Sequence, residues 1–313
     1  MTKPALTEPV AKLRDALYRH NSGQLHEREP LSERTTYRIG GPAELLYSPY
    51  VEEDIVAAVE FANEFNVPYR VLGGGSNLLV SDNGVPGLTI ELKSYFTNYS
   101  IDHSVMTVDA GISLLRLVRA VCFNNLSGME NLAGIPGTLG GGLWMNCGAF
   151  GSEISDCIKW VRGIRKNGER MLFMKEDVAW GYRQAPELKT VIVTSAQFEM
   201  PQGNRENLFA RMREVLHQRR TKQPLTFPSA GSVFKRPPND FASRLIEEAG
   251  LKGQRVGDAE VSIKHAGFII NRGHATAEDI RSLMHIIRET VREKFGITLE
   301  LEQCLWGFDH AEI

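Results

Sequence analysis

Two glycine-rich stretches constrain this chain more than any other feature: Gly73-Gly74-Gly75-Ser76-Asn77-Leu78-Leu79 and Gly134-Ile135-Pro136-Gly137-Thr138-Leu139-Gly140-Gly141-Gly142. A run of glycines leaves successive backbone N–H groups uncovered by side chains, and such groups can cradle a phosphate. One run alone is explained well enough as a tight turn between strands. Two of them, with Ser76, Asn77 and Thr138 adding hydroxyl and amide groups, favour an extended diphosphate ligand such as a dinucleotide. Neither run has the Rossmann spacing, because Leu78 and Met145 stand where the third glycine belongs. No G-x-x-x-x-G-K-[ST] segment occurs, which argues against a Walker-type NTPase.

A chain of 313 residues has room for two or three domains with their own cores. A net charge of -2, with no strong basic run, argues against nucleic acid as a partner. The cysteines Cys122, Cys147, Cys157 and Cys304 are scattered, with no C-x-x-C pair, and read as small buried hydrophobes in a reducing compartment. The N-terminal segment lacks the apolar core of a signal peptide, and no stretch has the length of a membrane span. A cytoplasmic protein, not inserted in a membrane, is the expectation. The eight histidines show no metal-ligand spacing, so no metal is expected.

Periodicity predicts a helix over 5–20, a strand over 43–47, and a helix from Glu52 whose acids sit at its positive end. Strands follow at 69–72, 88–92 and 105–109, then a helix over 114–123. A β-rich stretch has strands at 158–164, 170–173 and 190–200. A short helix is expected around Glu176–Ala179. A long helix over 205–220 precedes Pro224 and Pro228, which interrupt the chain. Beyond them Asp240 can cap a helix stopped by Gly250, and Thr276 with Asp279 forms a capping box for a helix ended by Gly296. A strand is expected at Thr298–Leu301. The fold class is α+β: a helical appendage over 1–24, an α+β domain over 25–203 and a second α+β domain over 204–313, whose final strand could pack back on the first.

Four polar spots could carry chemistry. Arg183 in Gly181-Tyr182-Arg183 can clamp a carboxylate or phosphate, although spacing alone makes it an ordinary surface arginine. Ser232, after Gly231, presents a hydroxyl where the chain can approach a ligand closely. A plain turn serine is the simpler reading, and no G-x-S-x-G elbow supports a hydrolase. Arg219, Arg220 and Lys222 end a helix, where dipole placement and a diphosphate partner explain them equally well. Glu300 and Glu302 would share one face of a strand, usually solvated but capable of acid chemistry if that face lines a cleft. His265 is more often a hydrogen-bonded histidine than a ligand.

Taken in order, several segments resemble one family. They are Thr36-Tyr37-Arg38-Ile39-Gly40-Gly41, the loops at Gly73 and Gly134, Gly181-Tyr182-Arg183, Gly231-Ser232-Val233-Phe234-Lys235, Ala249-Gly250-Leu251-Lys252-Gly253 and Lys264-His265-Ala266-Gly267-Phe268-Ile269-Ile270-Asn271. Together they resemble the UDP-N-acetylenolpyruvoylglucosamine reductases of bacterial cell-wall synthesis, in the shorter class of that family. Each segment alone is weak; their order over nearly the whole chain is specific.

The resemblance implies an FAD-binding domain of the vanillyl-alcohol-oxidase (PCMH) type, made of two subdomains, over 25–203, and a substrate-binding domain over 204–313. It implies noncovalent FAD, NADPH as co-substrate and UDP-N-acetylglucosamine enolpyruvate as the molecule reduced, in a protein expected to be a monomer. Gly73, Gly74, Gly75, Ser76, Asn77 and Leu78, with Ala133, Gly134, Pro136, Gly137 and Thr138, would hold the cofactor. Arg183, Ser232 and Glu302 would be catalytic, with Glu300 as a fallback for Glu302. Lys222, Arg236 and His265 would meet the substrate. The chain departs from the family pattern at Gln303-Cys304, where valine and arginine are usual, at Ala185, where serine is common, and at Cys147 and Phe150 in the asparagine loop. Two further readings stand beside this one: another FAD-dependent oxidase or dehydrogenase of the same fold, or, if Glu302 is misplaced, a UDP-sugar binder without turnover.

Overall fold

A computed structural model describes residues 6–308; the first residue of the helix predicted from residue 5 lies outside the described residues. The chain divides into two compact units. The first comprises 1–28, 44–74 and 87–217, and the second 29–43, 75–86 and 218–313.

The first unit is built on two sheets. One is five-stranded and antiparallel, in the order Arg170–Met174, Ile158–Arg165, Val191–Glu199, Val105–Asp109, Tyr99–Asp102. Its central strand buries Ile192, Thr194, Ala196 and Phe198 at alternate positions, the face laid on a core, and Val193 is buried on the other face. The other sheet has the order Gln24–Pro30, Pro42–Ser48, Val85–Glu91, Tyr69–Leu72, with the last two strands parallel. Helix Leu114–Phe123 buries Leu114, Leu117, Val118 and Val121 at helical spacing. Its Ser113 side chain caps it by accepting from the Arg116 N–H at 3.3 Å. Helix Glu52–Glu64 starts with the three predicted acids and buries Ile55, Ala58, Val59 and Ala62.

The second unit gathers around helix Ala277–Phe295, which buries Ile280, Leu283, Met284, Ile287 and Val291. The capping box is present: Thr276 Oγ1 accepts from the Asp279 N–H, and the Asp279 carboxylate accepts from the Thr276 N–H. Gly296 ends the helix in the left-handed conformation at φ 69°. Replacing Thr276 by Ala leaves the Asp279 N–H without its cap and is expected to lower unfolding stability by about 1 kcal/mol in a denaturant titration. A small antiparallel sheet, Arg255–Val256, Ala259–Val261 and Ile269–Asn271, packs with this helix.

Three expectations need correction. The helix around Glu176–Ala179 is a single 3₁₀ turn at Lys175–Asp177. Side chains compete for its backbone: Glu187 accepts from the Ala179 N–H, and Trp180 Nε1 donates to the Lys175 carbonyl. The helix predicted to be capped by Asp240 runs over Ala242–Glu248 with Phe241 at the cap position. The Asp240 carboxylate instead accepts from the Phe241 N–H and pairs with Arg244. No strand forms at Thr298–Leu301; the last strand is Cys304–Trp306, paired in parallel with Leu78–Val80. Residues 298–300 run irregularly, and Leu301 makes only an isolated bridge to Phe234.

Candidate active site

In the first unit the two glycine loops lie against each other. A Cβ on Gly74 would stand 2.5 Å from Gly137 Cα, and one on Gly73 would stand 2.9 Å from Thr138 Oγ1. Only residues without side chains permit this approach. The second loop is fixed from behind, since the Leu114 N–H donates to the Gly137 carbonyl and the Gly140 N–H to that of Ala110. Gly134 and Gly137 take positive φ, at 76° and 112°. Ala133 is buried beside this loop, and Pro136 is exposed on it. A surface of backbone and one threonine hydroxyl, free of bulky side chains, suits a diphosphate.

Arg183 sits in a tight turn of the same unit, at φ 56°. Gly181 and Gln184 close that turn by exchanging backbone hydrogen bonds. The fully buried Asn146 fixes it: Asn146 Nδ2 donates to the Gly181 carbonyl at 3.0 Å and to Glu153 at 2.7 Å, while its Oδ1 accepts from the Ser155 N–H. The Arg183 guanidinium donates to the Gly148 carbonyl at 3.2 Å and lies over the Tyr182 ring. A guanidinium presents its donors as a planar fork that matches a carboxylate or phosphate, which suits Arg183 to an anionic group. Ala185, two residues on, is fully buried.

In the second unit, Asn77, Ser232 and Glu302 are woven into one patch. The Val233 N–H donates to the Gly267 carbonyl, and the Val233 carbonyl accepts from the Glu302 N–H at 2.9 Å. Ser232 thus lies in an extended segment between 267–268 on one side and 302–303 on the other. Asn77 Nδ2 donates to the Glu302 carbonyl at 2.9 Å, and the Asn77 carbonyl accepts from the Cys304 N–H. Gly231 precedes Ser232 at φ 77°, a conformation that side chains resist. The first glycine run thus spans both units, with Gly73 and Gly74 in the first and Gly75, Ser76, Asn77 and Leu78 in the second.

The two glutamates at the chain's end differ. Glu300 is three-quarters exposed and pairs with Lys235 at 3.2 Å, whereas Glu302 is half-buried. Lys222 and Arg236 are exposed, with Arg236 stacked over the Phe241 ring. His265 is half-buried against Phe268, and its Nδ1 accepts from the Gly267 N–H at 3.1 Å. Burial, with nearby Lys252 adding to it, lowers the His265 pKa. The neutral ring then carries its proton on Nε2, as a donor. Burial pushes the Cys122 thiol up to about 11, which leaves it an inert core side chain. The described residues contain no cluster of acids, histidines and cysteines able to hold a metal, and no helix long and apolar enough to cross a membrane.

Sequence reasoning selects none of Tyr37, Asn146 or Gln303 as a site residue, yet each is a buried polar group holding a loop that carries one. Of the three, only Asn146 carries a local signal, an amide set between Met145 and Cys147.

Comparison with known proteins completes the description. Residues 43–172 match the FAD binding domain family, and residues 223–306 match the UDP-N-acetylenolpyruvoylglucosamine reductase C-terminal domain family. The chain is 42% identical over 282 residues to a UDP-N-acetylenolpyruvoylglucosamine reductase of Clostridioides difficile, covering 90% of this chain and 93% of that protein. It is 38% identical over 288 residues to UDP-N-acetylenolpyruvoylglucosamine reductase 2 of Bacillus cereus, covering 92% of this chain and 94% of that protein. The crystal structure of the reductase from Thermus caldophilus superposes with a TM-score of 0.79 at 37% identity, covering 91% of this chain and 99% of that one.

Proposed function

This chain belongs to the UDP-N-acetylenolpyruvoylglucosamine reductase family, and we infer that it reduces the enolpyruvyl group of UDP-N-acetylglucosamine enolpyruvate to UDP-N-acetylmuramate, with NADPH as reductant and FAD as cofactor. Its fold is α+β, an FAD-binding domain of the PCMH type joined to the family's C-terminal domain. The observation that supports the reading best is the identity of 38–42% to named reductases over nine-tenths of the chain.

The chemistry assigns the residues. When bound, FAD would supply the hydride chemistry, with NADPH as the source of the hydride that reaches the substrate's vinyl carbon C3. Negative charge then develops on C2 and spreads into the adjacent carboxylate. Arg183 holds that carboxylate and stabilises the charge as it grows. Glu302, as an acid, supports the same charge. Ser232 gives its hydroxyl proton to C2 and completes the saturated ether. Lys222 and Arg236 receive the substrate's diphosphate or sugar, and His265 donates to the substrate from Nε2. Gly73, Gly74, Gly75, Ser76, Asn77 and Leu78 hold the cofactor's diphosphate together with Ala133, Gly134, Pro136, Gly137 and Thr138. On the same reading the enzyme works as a monomer in the cytoplasm, where its charged, water-soluble nucleotide substrates reside.

An anaerobic absorption titration tests the function. The purified protein is expected to be yellow, to bleach with NADPH, and to recolour when UDP-N-acetylglucosamine enolpyruvate is added. A flavin that NADPH bleaches but the UDP-sugar never recolours would refute the substrate.

A further inference from the structure

Gln303 is buried, at 4% exposure, among the residues that carry Ser232 and Glu302. Its side-chain nitrogen donates to the Ala230 carbonyl at 3.1 Å and to the Gly231 carbonyl at 3.3 Å. Its side-chain oxygen accepts from the Tyr37 hydroxyl at 3.1 Å. The orientation is fixed by chemistry, because two backbone carbonyls can only accept and so must face the NH₂ group. The oxygen then faces Tyr37, whose phenol must donate. Tyr37 is fully buried, and that burial pushes its pKa far above the ordinary phenol value, so it remains a donor throughout the working pH range. The Tyr37 carbonyl in turn accepts from Asn271 Nδ2 at 3.1 Å, and the Asn271 oxygen accepts from the Gly273 and Ala275 N–H groups. One amide thus ties the backbone on which Ser232 rides to a rigid core tyrosine, and it is the residue next to Glu302 in the chain.

We propose that Gln303 is a positioning residue for the proton transfer: it holds the Ala230–Gly231 turn in the one conformation that sets the Ser232 hydroxyl beside Glu302 and toward the substrate carbon. The physical need is clear at Gly231. Nothing lies closer than 4.0 Å to where a Cβ would stand on this left-handed residue, so no contact on that side fixes its backbone. Two hydrogen bonds from a buried amide do. Gln303 touches no reacting atom in this scheme. The proposal rests on the assignment of Ser232 as proton donor.

The test uses the FAD-loaded, full-length protein and separates its two half-reactions by stopped-flow absorbance. Gln303→Met keeps the apolar volume and removes both donors. It is expected to leave flavin reduction by NADPH within about twofold of the parent, and to slow recolouring by saturating UDP-N-acetylglucosamine enolpyruvate about 10²-fold, the scale of an ångström-sized misplacement. In a Ser232→Ala background the same change should cause no further loss, because the hydroxyl it positions is gone. A readout independent of turnover is amide hydrogen exchange, which should speed up at Gly231 and Ser232 in Gln303→Met. Tyr37→Phe, which keeps the ring and removes one bond, should give a smaller loss in the same half-reaction, and it serves if the first variant does not fold. If Ser232→Ala slows recolouring while Gln303→Met and Tyr37→Phe do not, the positioning role is overturned and the proton donor stands. Additive losses in the double variant also overturn it. If Ser232→Ala recolours at the parent rate, the proton-donor assignment falls and the positioning role with it.

Discussion

Ser232→Ala is expected to leave flavin reduction by NADPH at the parent rate and to slow reoxidation by UDP-N-acetylglucosamine enolpyruvate by about 10²- to 10⁴-fold, the usual worth of a positioned proton donor. The two half-reactions need different things. Hydride transfer from NADPH requires no proton at a substrate carbon, so a missing hydroxyl does not touch it. Addition of hydride at C3 leaves a carbanion-like centre at C2, and without a donor that centre must wait for water. The substrate should still bind, because Arg183 and the exposed cations are intact, so the loss falls on the rate constant and not on KM. The fold should also survive. The backbone bonds that hold the segment involve Val233, Gly267 and Glu302, and none of them uses the Ser232 hydroxyl. An equal loss in both half-reactions would contradict the assignment.

Gly74→Ala should produce a protein that is largely colourless as purified. The new Cβ would lie 2.5 Å from Gly137 Cα, 3.1 Å from its carbonyl carbon and 3.3 Å from the Thr138 nitrogen. All three neighbours are backbone, so no side chain can rotate away, and the loops must part. Forcing an extra carbon into such a contact costs about 1–3 kcal/mol. If the loops part where FAD binds, its affinity falls between about 5- and 150-fold. Titration of the apoprotein with FAD, followed by flavin fluorescence, measures this directly. Gly141→Ala is the control, since its Cβ would meet only Thr138 Oγ1, at an ordinary 3.7 Å. Equal FAD affinity in Gly74→Ala and the parent would show that the close approach of the loops does not serve the cofactor.

The sequence makes the long elements legible because each carries its own punctuation. Thr276, Asp279 and Gly296 mark both ends of the longest helix, and Glu52, Glu53 and Asp54 mark the start of another. The close approach of the glycine loops is legible too, since a run of glycines clears side chains from the backbone. What cannot be read is whatever depends on a distant partner. Cys304–Trp306 is a strand because Leu78–Val80 lies beside it, whereas the alternating stretch Thr298–Leu301 has the strand-like pattern and no such partner. The roles of Asn146 and Gln303 are hidden likewise: an amide is polar wherever it stands, and only the fold shows that it is buried against backbone carbonyls. The separation of Gly73 and Gly74 from Ser76 and Asn77 is also invisible in a continuous loop, although the unit boundary runs through it.

That boundary bears on how the polypeptide is made. Residues 29–43 and 75–86 leave the ribosome early, but their core partners come from 218 onward. Tyr37 waits 266 residues for the amide that receives its proton. Two stretches of nascent chain therefore remain unsatisfied while the rest of the molecule is synthesised, and the strand at Leu78–Val80 stays an open edge until residue 304 arrives. The half that carries the proposed proton donor is the last to be completed, and a chaperone that shields those early segments would act on it first.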